Sequence, residues 1–155
     1  MQITEQQLEP LIPILIEWAE NESIKALKLG EPLNEIEREF ARKIGIQFPG
    51  KVRLIKTSQV PKPPHPDLLQ IAAEKGLDWS QNEGMTLGYA IFIREDVWRK
   101  PRLVVHELAH VSQYEKRGGL SLLRKFVFEY FIDGYFNSSL EREAIAIEEN
   151  YFGPR

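Results

Sequence analysis

The sequence predicts one α+β domain, mostly helical, with a small β-sheet. Apolar residues recur at three- and four-residue spacing along most of the chain, and only two short stretches read as strands. No composition shift, repeat or linker divides the 155 residues, so 1–155 is read as a single domain.

Leu8, Leu11, Ile12, Leu15 and Ile16 open a first helix, and Trp18, Ala19, Ile24 and Leu27 carry the pattern toward Gly30. Pro10 or Pro13 suits its first turn, where a missing NH has no partner to lose. A second helix runs from Pro32 to about Ile44 and stops at Gly45. Val52, Leu54 and Ile55 mark a short strand within 51–57. The run 60–66 holds Pro61, Pro63, Pro64 and Pro66, which donate no backbone hydrogen bonds, and is an extended loop. Asp67 then caps a short helix that Gly76 ends. The segment 86–94 reads as a strand around Tyr89-Ala90-Ile91-Phe92-Ile93.

A helix over about 98–117 follows, entered through Pro101 and closed by Gly118 and Gly119. Eleven of the 17 residues of 120–136 are apolar, so that helix is central to the core or serves as an interface for a homo-oligomer. Asn137, Ser138 and Ser139 break the chain and offer a cap to a last helix over about 139–150.

Composition narrows the function. Twenty basic residues against 23 acidic ones leave a net charge of −3, which disfavours a nucleic-acid binder. The absence of cysteine excludes disulfides, thiolate metal sites and cysteine nucleophiles, and suits a reducing compartment. No apolar run approaches the ~18 residues of a membrane span. Acidic Glu5 and Glu9 precede the apolar patch 11–16, where a signal peptide would be basic. The chain is read as cytoplasmic, with no membrane and no nucleic-acid partner.

The informative stretch is His106-Glu107-Leu108-Ala109-His110, an H-E-x-x-H on a predicted helix. Side chains four apart stand one turn above each other, about 5–6 Å between Cβ atoms, so two imidazoles can converge on one cation. Glu107 lies about 100° around the helix from His106. A carboxylate there borders the site and can take a proton from water activated by the ion.

Catalytic zinc usually has three protein ligands. No histidine follows His110, so a carboxylate must complete the set, and the last helix offers Glu141, Glu143, Glu148 and Glu149. Glu141 shares a face with Ala144, whose small side chain lets two helices approach. Glu141 is therefore favoured, with Glu143 as the alternative ligand. The same ligand types also suit non-haem iron(II) oxygenases, which do not need a glutamate between the histidines.

His106-Glu107-x-x-His110 followed by Glu141-Arg142-Glu143-Ala144 resembles the gluzincin side of the zincin metallopeptidases. The segment from Val105 to Gly119 with 140–144 also looks like small bacterial zincin-like proteins. The resemblance implies Zn²⁺ held by His106, His110 and Glu141, with Glu107 as general base. Ile145 departs from it, standing where the family has an aspartate that supports a histidine.

The resemblance also implies a strand edge beside the active helix where a peptide pairs; the strand of 86–94, in which Gly88 would admit a close backbone, is either that edge or a core strand. Tyr114, Tyr130, Tyr135 and His65, the last in the proline loop, are candidate donors to an oxyanion. The basic cluster Arg99-Lys100-Pro101-Arg102 is expected to pair with acidic residues or meet a substrate carboxylate. The expected function is a zinc-dependent peptidase acting on a peptide or protein substrate. The alternative is a non-catalytic zincin-like module that binds metal and a partner protein.

Overall fold

Prolines and capping side chains set where the helices begin. In the computed structural model, which describes residues 3–76 and 78–155, Thr4 caps α1 (Glu5–Leu8) and Gln7 bonds back to the Thr4 NH. A 3-10 turn containing Pro10 follows, and α2 (Ile12–Leu29) starts afresh with Pro13 in its first turn. The one helix expected here is in pieces because each proline suits a helix start. Ile12, Leu15, Ala19, Ser23 and Ala26 form the buried stripe of α2, while Ile24 and Leu27 are exposed. Toward its end the stripe runs on small residues rather than large ones.

Asn34 and Glu37 form a capping box on α3 (Glu35–Ile44), which Gly45 ends in the left-handed conformation at φ 104°. Pro32, expected inside this helix, lies instead in strand β1 (Glu31–Pro32). Strands β2 (Arg53–Thr57), β3 (Gly84–Leu87) and β4 (Ala90–Arg94) complete a sheet of order β1-β2-β4-β3, with β2 and β4 parallel and the other pairs antiparallel. The single strand expected over 86–94 is thus a hairpin. Gly88, at φ 67°, lies in its turn.

Alternation along the strands divides the core into two layers. Leu54, Ile91 and Ile93 pack with Ala41 and with Val104, Leu108 and Val111, whereas Ala90, Phe92 and Leu87 pack with Ile12, Leu15 and Ala19 of α2. The register Thr86↔Ile91 and Gly84↔Ile93 puts Thr86 and Gly84 on the first of these faces. It is the face covered by α5 (Pro101–Lys116).

Two helix starts differ from expectation. Pro66 is the first residue of α4 (Pro66–Glu74), so His65 occupies the cap position and Asp67 lies inside the first turn. Helix α5 begins at Pro101 rather than Trp98, because Arg99 takes a left-handed φ of 55° just before it. The guanidinium of Arg99 donates to Glu37 at 2.5 Å and to the Pro32 carbonyl at 3.2 Å, which holds this entry in place.

The segment 120–136 is not one helix. It comprises a 3-10 turn, α6 (Leu123–Phe128), a π-helical turn (Glu129–Asp133), a break at Gly134 and a second 3-10 turn (Tyr135–Asn137). Leu122, Leu123, Phe126, Val127 and Phe131 from this segment are buried in the core, and Phe136 is exposed. Ser138 caps α7 (Ser139–Phe152) by accepting from the Glu141 NH. Among the described residues, no helix is long and apolar enough to cross a membrane.

Candidate metal centre

Helix α5 lies between the sheet and α7. Val104, Leu108 and Val111 bind it to the sheet, so His106 and His110, at other phases of the helix, are free to meet α7. Ala144 of α7 is completely buried, the small contact that lets the helices close up. Nε2 of His106 lies 3.0 Å from Oε2 of Glu141, and Nε2 of His110 lies 2.8 Å from its Oε1. The three residues are buried, and one ligand atom from each falls within 4.8 Å of the others. Such spacing lets one cation reach all three.

The far side of each imidazole is also held. Nδ1 of His106 bonds Oε1 of Glu148 at 2.8 Å, and Nδ1 of His110 bonds Oε1 of Gln113 at 2.8 Å. Glu148 accepts in turn from Arg102 and Arg155, and Gln113 donates to the Leu140 carbonyl at 2.9 Å. Carboxylate and amide partners of this kind fix ring orientation and turn Nε2 toward a metal. The donor set, two nitrogens and a carboxylate backed by these partners, fits a divalent cation.

Charge is concentrated here. Burial, the strongest influence on His106, favours the neutral ring. Hydrogen bonds to Glu141 and Glu148 and the field of Glu107 outweigh it and push the ring up to about 10. His110 is raised despite complete burial, chiefly by the Glu141 carboxylate. Burial alone would raise Glu141, yet the two histidines hold it far below the usual carboxylate range. Glu148 is likewise lowered to about 2, with burial opposed by His106, Arg155 and Arg102.

Glu107 sits on the sheet side of this cluster. The Thr86 hydroxyl donates to its Oε1 at 2.9 Å and to its backbone carbonyl at 3.2 Å. Gly84 leaves the space beside it: a Cβ there would stand 3.2 Å from Cγ and Cδ of Glu107 and from Leu103. His106, Glu107, His110 and Glu141 all line a cavity of ≈ 810 Å³.

Other expected residues fall in and out of the site. Glu143 is 42% exposed and pairs with Arg117 at 3.0 Å, so the structure brings Glu141 rather than Glu143 to the histidines. Tyr130 and Tyr135 donate to Glu141 at 2.6 and 3.1 Å. Tyr114 lines the same cavity, its ring 5.3 Å from that of Phe126. His65 is not among the described residues that line it. Within the basic cluster, Arg99 pairs with Glu37 and Arg102 with Glu148.

Four contributors escaped sequence reasoning: Thr86, Gly84, Gln113 and the role of Glu148. Two had a helical signal. Gln113 is three residues after His110, and Glu148 is seven after Glu141, two turns along one face. Thr86 and Gly84 come from a strand whose register the sequence does not carry. In comparisons with known proteins, no family model, curated protein or solved structure matches this chain.

Proposed function

We propose that this chain is a zinc-dependent metallopeptidase of the zincin type, with Glu107 as its general base. One observation carries the reading: His106, His110 and Glu141 converge at the wall of a cavity that Glu107 also lines. His106, His110 and Glu141 would hold the ion, which matches the three protein ligands usual for catalytic zinc. Bound zinc supplies Lewis acidity, lowering the pKa of a water and polarising a carbonyl.

Glu107 accepts the proton of the attacking water and passes it to the leaving amine. Thr86 holds Oε1 of Glu107, which leaves Oε2 to carry that proton. Tyr130 and Tyr135, whose hydroxyls already reach this point of the cavity, are the candidate donors to the oxyanion. The substrate is a peptide or protein. Strand β3, at the edge of the sheet beside α5, offers it backbone pairing. A cytoplasmic location belongs to the same proposal, and the cysteine-free composition suits a reducing compartment.

Hydrolysis of a mixed peptide library by the zinc-loaded chain tests the proposal, with Glu107→Gln in parallel. Cleavage by the native chain and none by the variant supports it. No cleavage by a zinc-loaded native chain favours the second reading, a metal-binding interaction module. Phe136, 76% exposed, is the observation on the side of that reading. A homo-oligomer through 120–136 would centre on it.

A further inference from the structure

We infer that the cavity beside Glu107 binds a peptide segment carrying bulky apolar side chains, aromatic ones above all. The inference rests on the peptidase reading for the ligand being a peptide. Its other grounds are the walls of the cavity.

Away from the buried polar cluster of Thr86, His106, Glu107, His110, Glu141 and Glu148, the buried part of the wall is apolar. Leu15, Leu123, Phe126, Val127 and Phe131 are buried in the core and also line the cavity. The exposed lining residues Asp78, Gln81, Glu83, Lys100 and Arg155 are polar. An apolar floor under a polar rim is the usual build of a site that takes an apolar ligand group. At ≈ 810 Å³ the space exceeds what one side chain fills, and a short peptide segment matches it.

Phe136 breaks the polarity of the rim. It lines the cavity although 76% exposed, and its ring stands edge-on to Tyr135 at 5.4 Å. The π-helical turn and Gly134 precede this pair, at φ 88° for the glycine. Tyr135 thereby reaches Glu141 while its neighbour Phe136 stays at the mouth. An exposed aromatic ring one residue from a group on a metal ligand is placed to cover an apolar side chain brought to the site. Trp18 and Trp79 also line the cavity, so occupancy has an optical reporter.

The test uses capped pentapeptides of alanine with Phe, Leu, Gly or Asp in the centre, added to the full chain in a chelator that prevents turnover. Tryptophan emission is titrated. The Phe peptide should bind about 10- to 100-fold more tightly than the Gly peptide, as expected for burying one such side chain. Leu should fall between them. Phe136→Ala, an exposed position where folding is not at risk, should lower the advantage of Phe several-fold and leave zinc uptake unchanged.

Equal binding of the Phe, Gly and Asp peptides overturns the inference, as does an undiminished preference in Phe136→Ala. Zinc uptake and cleavage without an apolar preference would overturn it and leave the peptidase reading standing. An apolar preference in a chain that takes up no zinc would uphold the cavity and overturn the peptidase.

Discussion

Glu148 holds Nδ1 of His106 at 2.8 Å, on the side of the ring away from Glu141. Ile145 occupies the position where the zincin resemblance expects an acidic partner, and Glu148 makes the contact from one turn further along α7. Because Arg102 and Arg155 both donate to this carboxylate, the ring is braced from α5 and from Arg155, beyond the end of α7. Glu148→Gln keeps the shape and removes the charge. Zinc affinity should fall by about 10- to 100-fold, the usual cost of losing such a partner. Competition against a chromophoric chelator measures it, and unchanged affinity would show that the brace is idle.

Glu107→Gln should keep the metal and lose at least about 100-fold in peptide hydrolysis, since a general base contributes 10²- to 10⁴-fold. Thr86→Val should retain metal too and lose less, because it frees the carboxylate without removing it. Single-turnover rates on zinc-loaded protein decide this. A fully active Glu107→Gln chain would remove the residue from the chemistry.

Ala144→Leu probes the closeness of α5 and α7. Extra methylenes at a fully buried alanine cost about 1–3 kcal/mol and push helices apart. The urea midpoint should drop and zinc affinity should weaken with it, because Glu141 lies on the same face one turn earlier. A loss of stability with affinity intact would mean that the helix spacing does not govern the site.

Acid should weaken the fold through Glu115. Its carboxylate accepts from the Gln47 and Phe48 NH groups at 2.6 and 3.1 Å and from Tyr89 at 2.7 Å. Burial acts to raise its pKa, but these bonds outweigh it and hold the group below its usual value. A pKa depressed by folding adds stability that is present above the unfolded value and lost as pH falls through the folded one. Glu115→Gln should therefore be less stable than the native chain at pH 7, with the gap closing below about pH 4. Urea denaturation from pH 7 to 3 reads it, and a gap independent of pH would contradict the assignment.

Much of this arrangement was legible in the sequence because helices repeat locally. The spacing of His106 and His110 places two rings together without reference to the rest of the chain, and Ala144 marked which acidic residue faces them. The same logic failed at 120–136, where every apolar residue belongs to a continuous pattern but a π-helical turn and Gly134 redirect the chain. Propensity does not register that turn, whose Glu129 accepts from Ser138, Ser139 and the Leu140 NH, residues distant enough in sequence to carry no local signal. The hairpin failed for a related reason: Tyr89 and Ala90 continue the strand pattern through a turn that only Gly88 announces. Thr86 and Gly84 became visible only once the register with β4 placed them opposite Glu107.

Calorimetric titration of the metal-stripped chain with zinc tests the central assignment most directly. One equivalent should bind, and His106→Ala, His110→Ala and Glu141→Ala should each abolish the saturable uptake while Glu143→Ala leaves it unchanged. Failure of the native chain to take up zinc, or undiminished uptake by Glu141→Ala, would contradict the assignment.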